Sequence, residues 1–219
     1  MNGSRTQAEL VHIQIEGQAL DGILGVPDNA WGVVVFAHGL GSSRFSSRNQ
    51  FVAQELRRKG LATLLFDLHT AVEREANGFA HTLSPNVDLL ADRVTAATDW
   101  LLAQPFVAEL SIGYFGSSTG AAAALVACTR RPKLIEAVVT RSGRPDLAVP
   151  VLPDVQAPTL LIVGSRDVPI LQMNEEAQQH FSVETALEVI PGATHLFGEP
   201  GALEKAARLA HNWFRQYLS

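Results

Sequence analysis

Gly116-Ser117-Ser118-Thr119-Gly120 sets Ser118 between two glycines in a G-x-S-x-G spacing. The apolar stretch Ser111 to Phe115 precedes it and an alanine-rich stretch follows. A strand that turns at once into a helix holds the central serine in a strained backbone conformation and lifts its hydroxyl above the sheet. The flanking glycines leave room that side chains would fill. The alanines let the helix lie close on the sheet, with its positive N-terminal end under the serine. A serine so placed suits acyl transfer, provided a base, an orienting acid and an oxyanion site are brought to it. Ser117 beside it reads as structural.

The other parts are found just past strand ends, because the loops after parallel strands gather along one edge of the sheet. Asp167 stands three residues beyond Gly164, where the apolar run Thr159 to Val163 closes. His195, in Gly192-Ala193-Thr194-His195-Leu196-Phe197, follows the run ending at Ile190. The chain order Ser118, Asp167, His195 is the one this chemistry takes on such a sheet. Asp167 has a second reading as the cap of a helix starting near Pro169. His195 competes with six other histidines; His12 falls in an outer hairpin and His180 and His211 on helices. His38-Gly39-Leu40-Gly41 ends a further central strand, and its Leu40 N–H, paired with that of Thr119, is the expected oxyanion hole.

His38, Gly39, His69, Arg141 and Phe197 are the expected substrate pocket, with His38 read as supporting its turn rather than moving protons. Arg141 and Arg144 read either as holders of a substrate carboxylate or as surface charges. His69, Arg74 and His81 belong either to the pocket or to a solvated loop. Glu73 and Glu75 fall in no spacing that marks a metal site, so neither metal nor organic cofactor is expected. Cys128, among alanines and leucine, reads as an inert core residue.

Alternating strands and helices must position these residues. Leu10 to Ile15 and Ala19 to Val26, joined at Glu16-Gly17, read as an antiparallel hairpin. Gly32 to Ala37, Leu61 to Phe66 and Ser111 to Phe115 read as buried strands, and Leu134 to Thr140, Thr159 to Gly164 and Ala186 to Ile190 as further strands. Helices are expected over about Asn49–Lys59, Val87–Ala103, the stretch from the elbow to about Arg130, Ile170–Phe181 and Pro200–Tyr217, the last with Trp213 and Phe214 inward. Leu68 to Pro85 is a charged connection without periodicity, and Arg141 to Asp154 a short polar one. The pattern implies an α/β protein, a mostly parallel sheet with helices on both faces.

The 219 residues suit a single domain over 1–219. A net charge of -5 argues against nucleic acid and anionic membranes as partners. One cysteine forms no internal disulfide, and Met1 to Gln7 lacks the apolar core of a secretory signal, so a cytoplasmic location is the expectation.

These four elements, the His38–Gly41 turn, the Gly116–Gly120 elbow, Asp167 and the Gly192–Phe197 loop, resemble an α/β-hydrolase of the compact dienelactone-hydrolase-like branch. Where dienelactone hydrolases carry a cysteine nucleophile, this chain has Ser118, which favours an ordinary ester. Arg141 to Pro158 is too short for the helical lid that many lipases insert. The resemblance implies a carboxylesterase-like serine hydrolase of small soluble esters, with Ser118 nucleophile, His195 base and Asp167 acid. Lactone, dienelactone, thioester or peptide-amide hydrolysis on the same residues stays open, as does a non-catalytic ligand binder that keeps the fold.

Overall fold

The computed structural model describes residues 7–15, 18–70, 72–73 and 86–218. Eight strands form one sheet in the order β1-β2-β4-β3-β5-β6-β7-β8. β1 (Gln7–Ile15) and β2 (Gln18–Val26) are the antiparallel hairpin, and β2 also runs antiparallel to β4 (Leu61–Phe66). From β4 onward all neighbours are parallel: β3 (Gly32–Ala37), β5 (Ser111–Ser117), β6 (Ile135–Arg141), β7 (Thr159–Gly164) and β8 (Thr185–Ile190). The Glu16-Gly17 turn, and Arg74, Glu75 and His81 of the charged connection, lie outside the described residues.

β3, β4 and β7 are buried at every position, as apolar runs must be when helices cover both faces. Alternation sorts their side chains into two cores. Val33, Val35, Leu64 and Phe66 face α2 (Val87–Leu102) and α3 (Thr119–Arg130). Val34, Phe36, Leu61 and Leu65 face α1 (Ser47–Arg58) and α5 (Ala202–Tyr217). α4 (Val168–Gln178) adds Ala177 to the first core. There Cys128 is fully buried, which pushes its thiol up to about 12 and keeps it unreactive. The buried Tyr114 hydroxyl shares a 2.7 Å hydrogen bond with Thr98.

Three expectations shift. The connection after β6 is not simply polar: Pro145–Asp154 forms a 3-10 helix with Ala148 and Leu152 buried in the first core, and it leaves no helical lid. Phe214 is buried, but Trp213 is only partly so, its indole N–H donating to the Pro158 carbonyl at 3.1 Å. α4 starts at Val168, two residues early, because Pro169 suits a first helical turn. No helix among the described residues is long and apolar enough to cross a membrane.

Candidate active site

The ends of β3, β5, β6, β7 and β8 supply the site. β5 runs into α3 through Ser118, whose φ of 52° is a left-handed value rare outside glycine. The turn tolerates nothing larger than glycine at its flanks. A Cβ on Gly116 would stand 2.5 Å from Ala121 Cα, and one on Gly120 2.2 Å from the Ala37 carbonyl oxygen. The Ser118 carbonyl accepts from the Ala121 and Arg144 N–H groups at 3.1 and 3.0 Å, fixing the elbow against the segment after β6.

Asp167 occupies the N-cap position of α4 yet makes no side-chain cap bond. Its Oδ2 instead accepts from His195 Nδ1 at 2.7 Å. That bond places the imidazole proton on Nδ1 and leaves Nε2 as the free lone-pair nitrogen. His195 and Ser118 line one cleft of about 140 Å³. Two further contacts hold the histidine loop. Ser142 donates its hydroxyl to the His195 carbonyl at 2.9 Å, and Glu199 accepts from the Thr194 N–H and hydroxyl at 3.1 and 2.7 Å.

The loop after β3 carries Gly39 and Leu40 into the same cleft. The Leu40 N–H, expected to face an oxyanion, donates to Thr119 Oγ1 at 2.8 Å. Beneath it, His38 is buried: its Nε2 accepts from the Leu68 N–H at 2.9 Å, while Nδ1 donates to the Gly39 carbonyl at 2.9 Å. The same loop is anchored to the end of β4 by Arg44, whose N–H donates to buried Asp67 at 2.7 Å and whose guanidinium pairs with that carboxylate and with Asp21.

Of the expected pocket, Gly39 and Arg141 line the cleft, and His38, His69 and Phe197 do not. Phe197 has a φ of 55° and is buried in the core under α5, so Leu196, half exposed, takes the place at the cleft wall. Ser42, Ser46, Arg48 and Ser142 also line it. Ser42 continues the glycine-rich turn after β3, Ser46 is the N-cap of α1, and Ser142 follows Arg141 at the end of β6; Arg48 occupies no motif. Arg144 pairs with Asp146 through two bonds of 2.8 and 2.7 Å. Glu73, in the charged connection, is held by Arg93.

Arg141 is buried, and its guanidinium lies 5.5 Å from the Phe197 ring centroid. Burial, and then the positive charge of Arg48, push it down to about 10. Asn49 sits between two site residues, donating to Ser117 Oγ at 3.3 Å and accepting from Arg141 at 3.4 Å. A larger groove of about 460 Å³ lies between the hairpin and α2. It has neither the serine nor the histidine, so size alone does not mark the chemistry. Among the described residues no group of three or more histidine, cysteine or carboxylate side chains is placed to hold a metal ion.

A mostly parallel sheet with an antiparallel hairpin at one edge, and a serine at the strand-to-helix elbow, defines an α/β hydrolase. Residues 20–218 match the Dienelactone hydrolase family, and the chain belongs to that family. It is 50% identical to a dienelactone hydrolase from Anabaena variabilis, with a TM-score of 0.94 over 98% of this chain and 99% of that one. Two Mycobacterium tuberculosis proteins that carry a provisional phosphoribosyl transferase name are 52% identical over 199 residues, which is 90% of this chain. The chain spans 44% of their length. At 20% identity, an α/β serine hydrolase without lid from Xanthomonas campestris shares the fold, with a TM-score of 0.77 over 98% of this chain and 96% of that one.

Proposed function

We propose that this hydrolase is a serine esterase of small carboxylic esters. Ser118 Oγ attacks the ester carbonyl as His195 Nε2 takes its proton. The C–O bond to the alcohol then breaks, and His195 returns the proton to the leaving oxygen. Water, deprotonated by the same nitrogen, releases the acid and restores Ser118. Asp167 holds the His195 tautomer and stabilises its cation. The oxyanion is met by the Thr119 N–H, one of the unpaired donors that open a helix, and by the Leu40 N–H once Thr119 Oγ1 releases it. One such donor lowers the barrier by ~3 kcal/mol.

The 2.7 Å bond between Asp167 and His195 carries this reading, because it pairs an acid with a histidine that lines the same cleft as the strained Ser118. A helix cap or a ligand-binding fold has no use for that pairing. The transferase name belongs to proteins of which this chain spans less than half, so we assign hydrolysis, and not that activity, to this chain.

The test is hydrolysis of p-nitrophenyl esters from acetate to octanoate by the wild type and Ser118→Ala, beside labelling with a neutral fluorophosphonate. Turnover and labelling that vanish in the variant support the esterase. A wild type that neither turns over an ester nor takes the label is a binder, and the reading fails.

A further inference from the structure

Two arginines are buried among the described residues, Arg93 and Arg141. Arg93 is matched by a carboxylate, Glu73 bonding both of its terminal nitrogens. Arg141 has no such partner among the described residues. Of its five N–H donors, one reaches Asn49 Oδ1 at 3.4 Å, a long contact, and its Nε is buried with no partner at all. A second arginine, Arg48, lines the same cleft, and no carboxylate among the described residues pairs with it either. The proposed triad acid, Asp167, is already engaged by His195. A buried guanidinium with no counter-charge, and a second one on the wall of the same cleft whose positive charge it feels, are costly together unless something negative joins them. The rest of the wall agrees. Five serines line the cleft against two leucines, Leu40 and Leu196. Ser142 gives its proton to the His195 carbonyl and Ser118 is the nucleophile, so Ser42, Ser46 and Ser117 are the hydroxyls left to donate to an anion, and the wall offers little surface to an alkyl chain.

We propose, resting on the serine-esterase reading, that Arg141 and Arg48 form an anion subsite beside Ser118. The substrate is then a small ester carrying a carboxylate or a phosphate-type head group a few bonds from the reacting carbonyl. Arg141, over the Phe197 ring and within reach of Asn49, supplies the fork for planar oxyanion recognition, and Arg48 adds a second guanidinium from α1.

The test uses the full chain and two readouts. A neutral fluorophosphonate labels Ser118 in the presence of succinate or inorganic phosphate, with ionic strength held by chloride. Either anion slows labelling, and Arg48→Gln and Arg141→Gln each weaken that protection about tenfold, as expected for loss of a charged donor. Protection by succinate alone identifies a carboxylate substrate, and by phosphate alone a phosphorylated one. No protection, or protection equal in variants and wild type, overturns the subsite. In the second readout, acid release from monomethyl succinate and from acetylglycolate, with carboxylates on the acyl and alcohol sides, is compared with that from neutral methyl levulinate. At least one anionic ester exceeds the neutral one in kcat/KM by about tenfold in the wild type, a ratio that falls toward one in Arg48→Gln. A wild type indifferent to both anions overturns the subsite while leaving the esterase in place. Should Arg141→Gln fail to fold, Arg48→Gln decides alone. A protein that neither takes the label nor cleaves levulinate refutes the esterase reading, and thermal stabilisation by the two anions, present or absent, then judges the subsite.

Discussion

The backbone N–H of Leu40 donates to Thr119 Oγ1 at 2.8 Å, joining the loop after β3 to the first residue of α3 across 79 positions of sequence. The hydroxyl therefore holds in place the donor on which the proposed oxyanion hole depends, and must give it up when the tetrahedral intermediate forms. Thr119→Val keeps the shape and removes the acceptor. We expect kcat on a neutral ester to fall about tenfold with KM little changed, and Thr119→Ser to restore it. An unchanged kcat in the valine variant shows that the loop needs no such tether.

Ser118→Ala removes one hydroxyl from a half-buried turn, so ester turnover vanishes while urea unfolding shifts by less than about 1 kcal/mol. Asp167→Asn is the complementary change. It keeps the shape but loses the charge that fixes the His195 tautomer, and kcat drops by about three to four orders of magnitude. Retention of most activity in either variant moves the chemistry elsewhere in the cleft.

Acid stability follows from Glu73. Its hydrogen bonds to Arg93, with help from the Thr70 N–H, hold the carboxyl down at about 2, below its ordinary 4.5. A depressed carboxyl contributes stability that is whole above 4.5 and is lost as pH falls from there toward 2. Thermal melts of wild type and Glu73→Gln are therefore expected to differ at neutral pH and to converge in strong acid. A gap that stays constant across that window contradicts the assignment.

Gly120→Ala places a methyl 2.2 Å from the Ala37 carbonyl oxygen, where backbone and not a flexible side chain stands in the way. Either the elbow or β3 must move, at a cost of about 3 kcal/mol. Chemical denaturation measures it, and a variant as stable as wild type means that the two segments separate more readily than their contact suggests.

The fold was legible because its signals are local: unbroken apolar runs mark strands covered on both faces, and G-x-S-x-G between a strand and a helix marks the elbow. Ser118, Asp167 and His195 could be proposed together because topology brings strand ends to one edge. What local sequence does not encode depends on long-range geometry. Phe197 adopts a positive φ that bulky residues seldom take, so the wall fell to Leu196. Arg48 reads as any polar position of an amphipathic helix, and Ser142 as any residue after a strand. Their part in the cleft exists only once α1 and β6 meet. The inward face of Pro145–Asp154 was hidden by prolines that usually signal exposed loops.

The cleft draws Gly39, Ser118, Ser142 and His195 from the ends of four different strands, the first and last 156 positions apart in the sequence. Parallel neighbours such as β3 and β5 close only after the whole intervening chain has been looped out, which makes assembly slow and non-local. No fragment that stops short of the last strand can contain the site. Recovery of the proposed esterase activity during refolding thus reports completion of the entire sheet, whereas helix content recovers earlier and reports only local order.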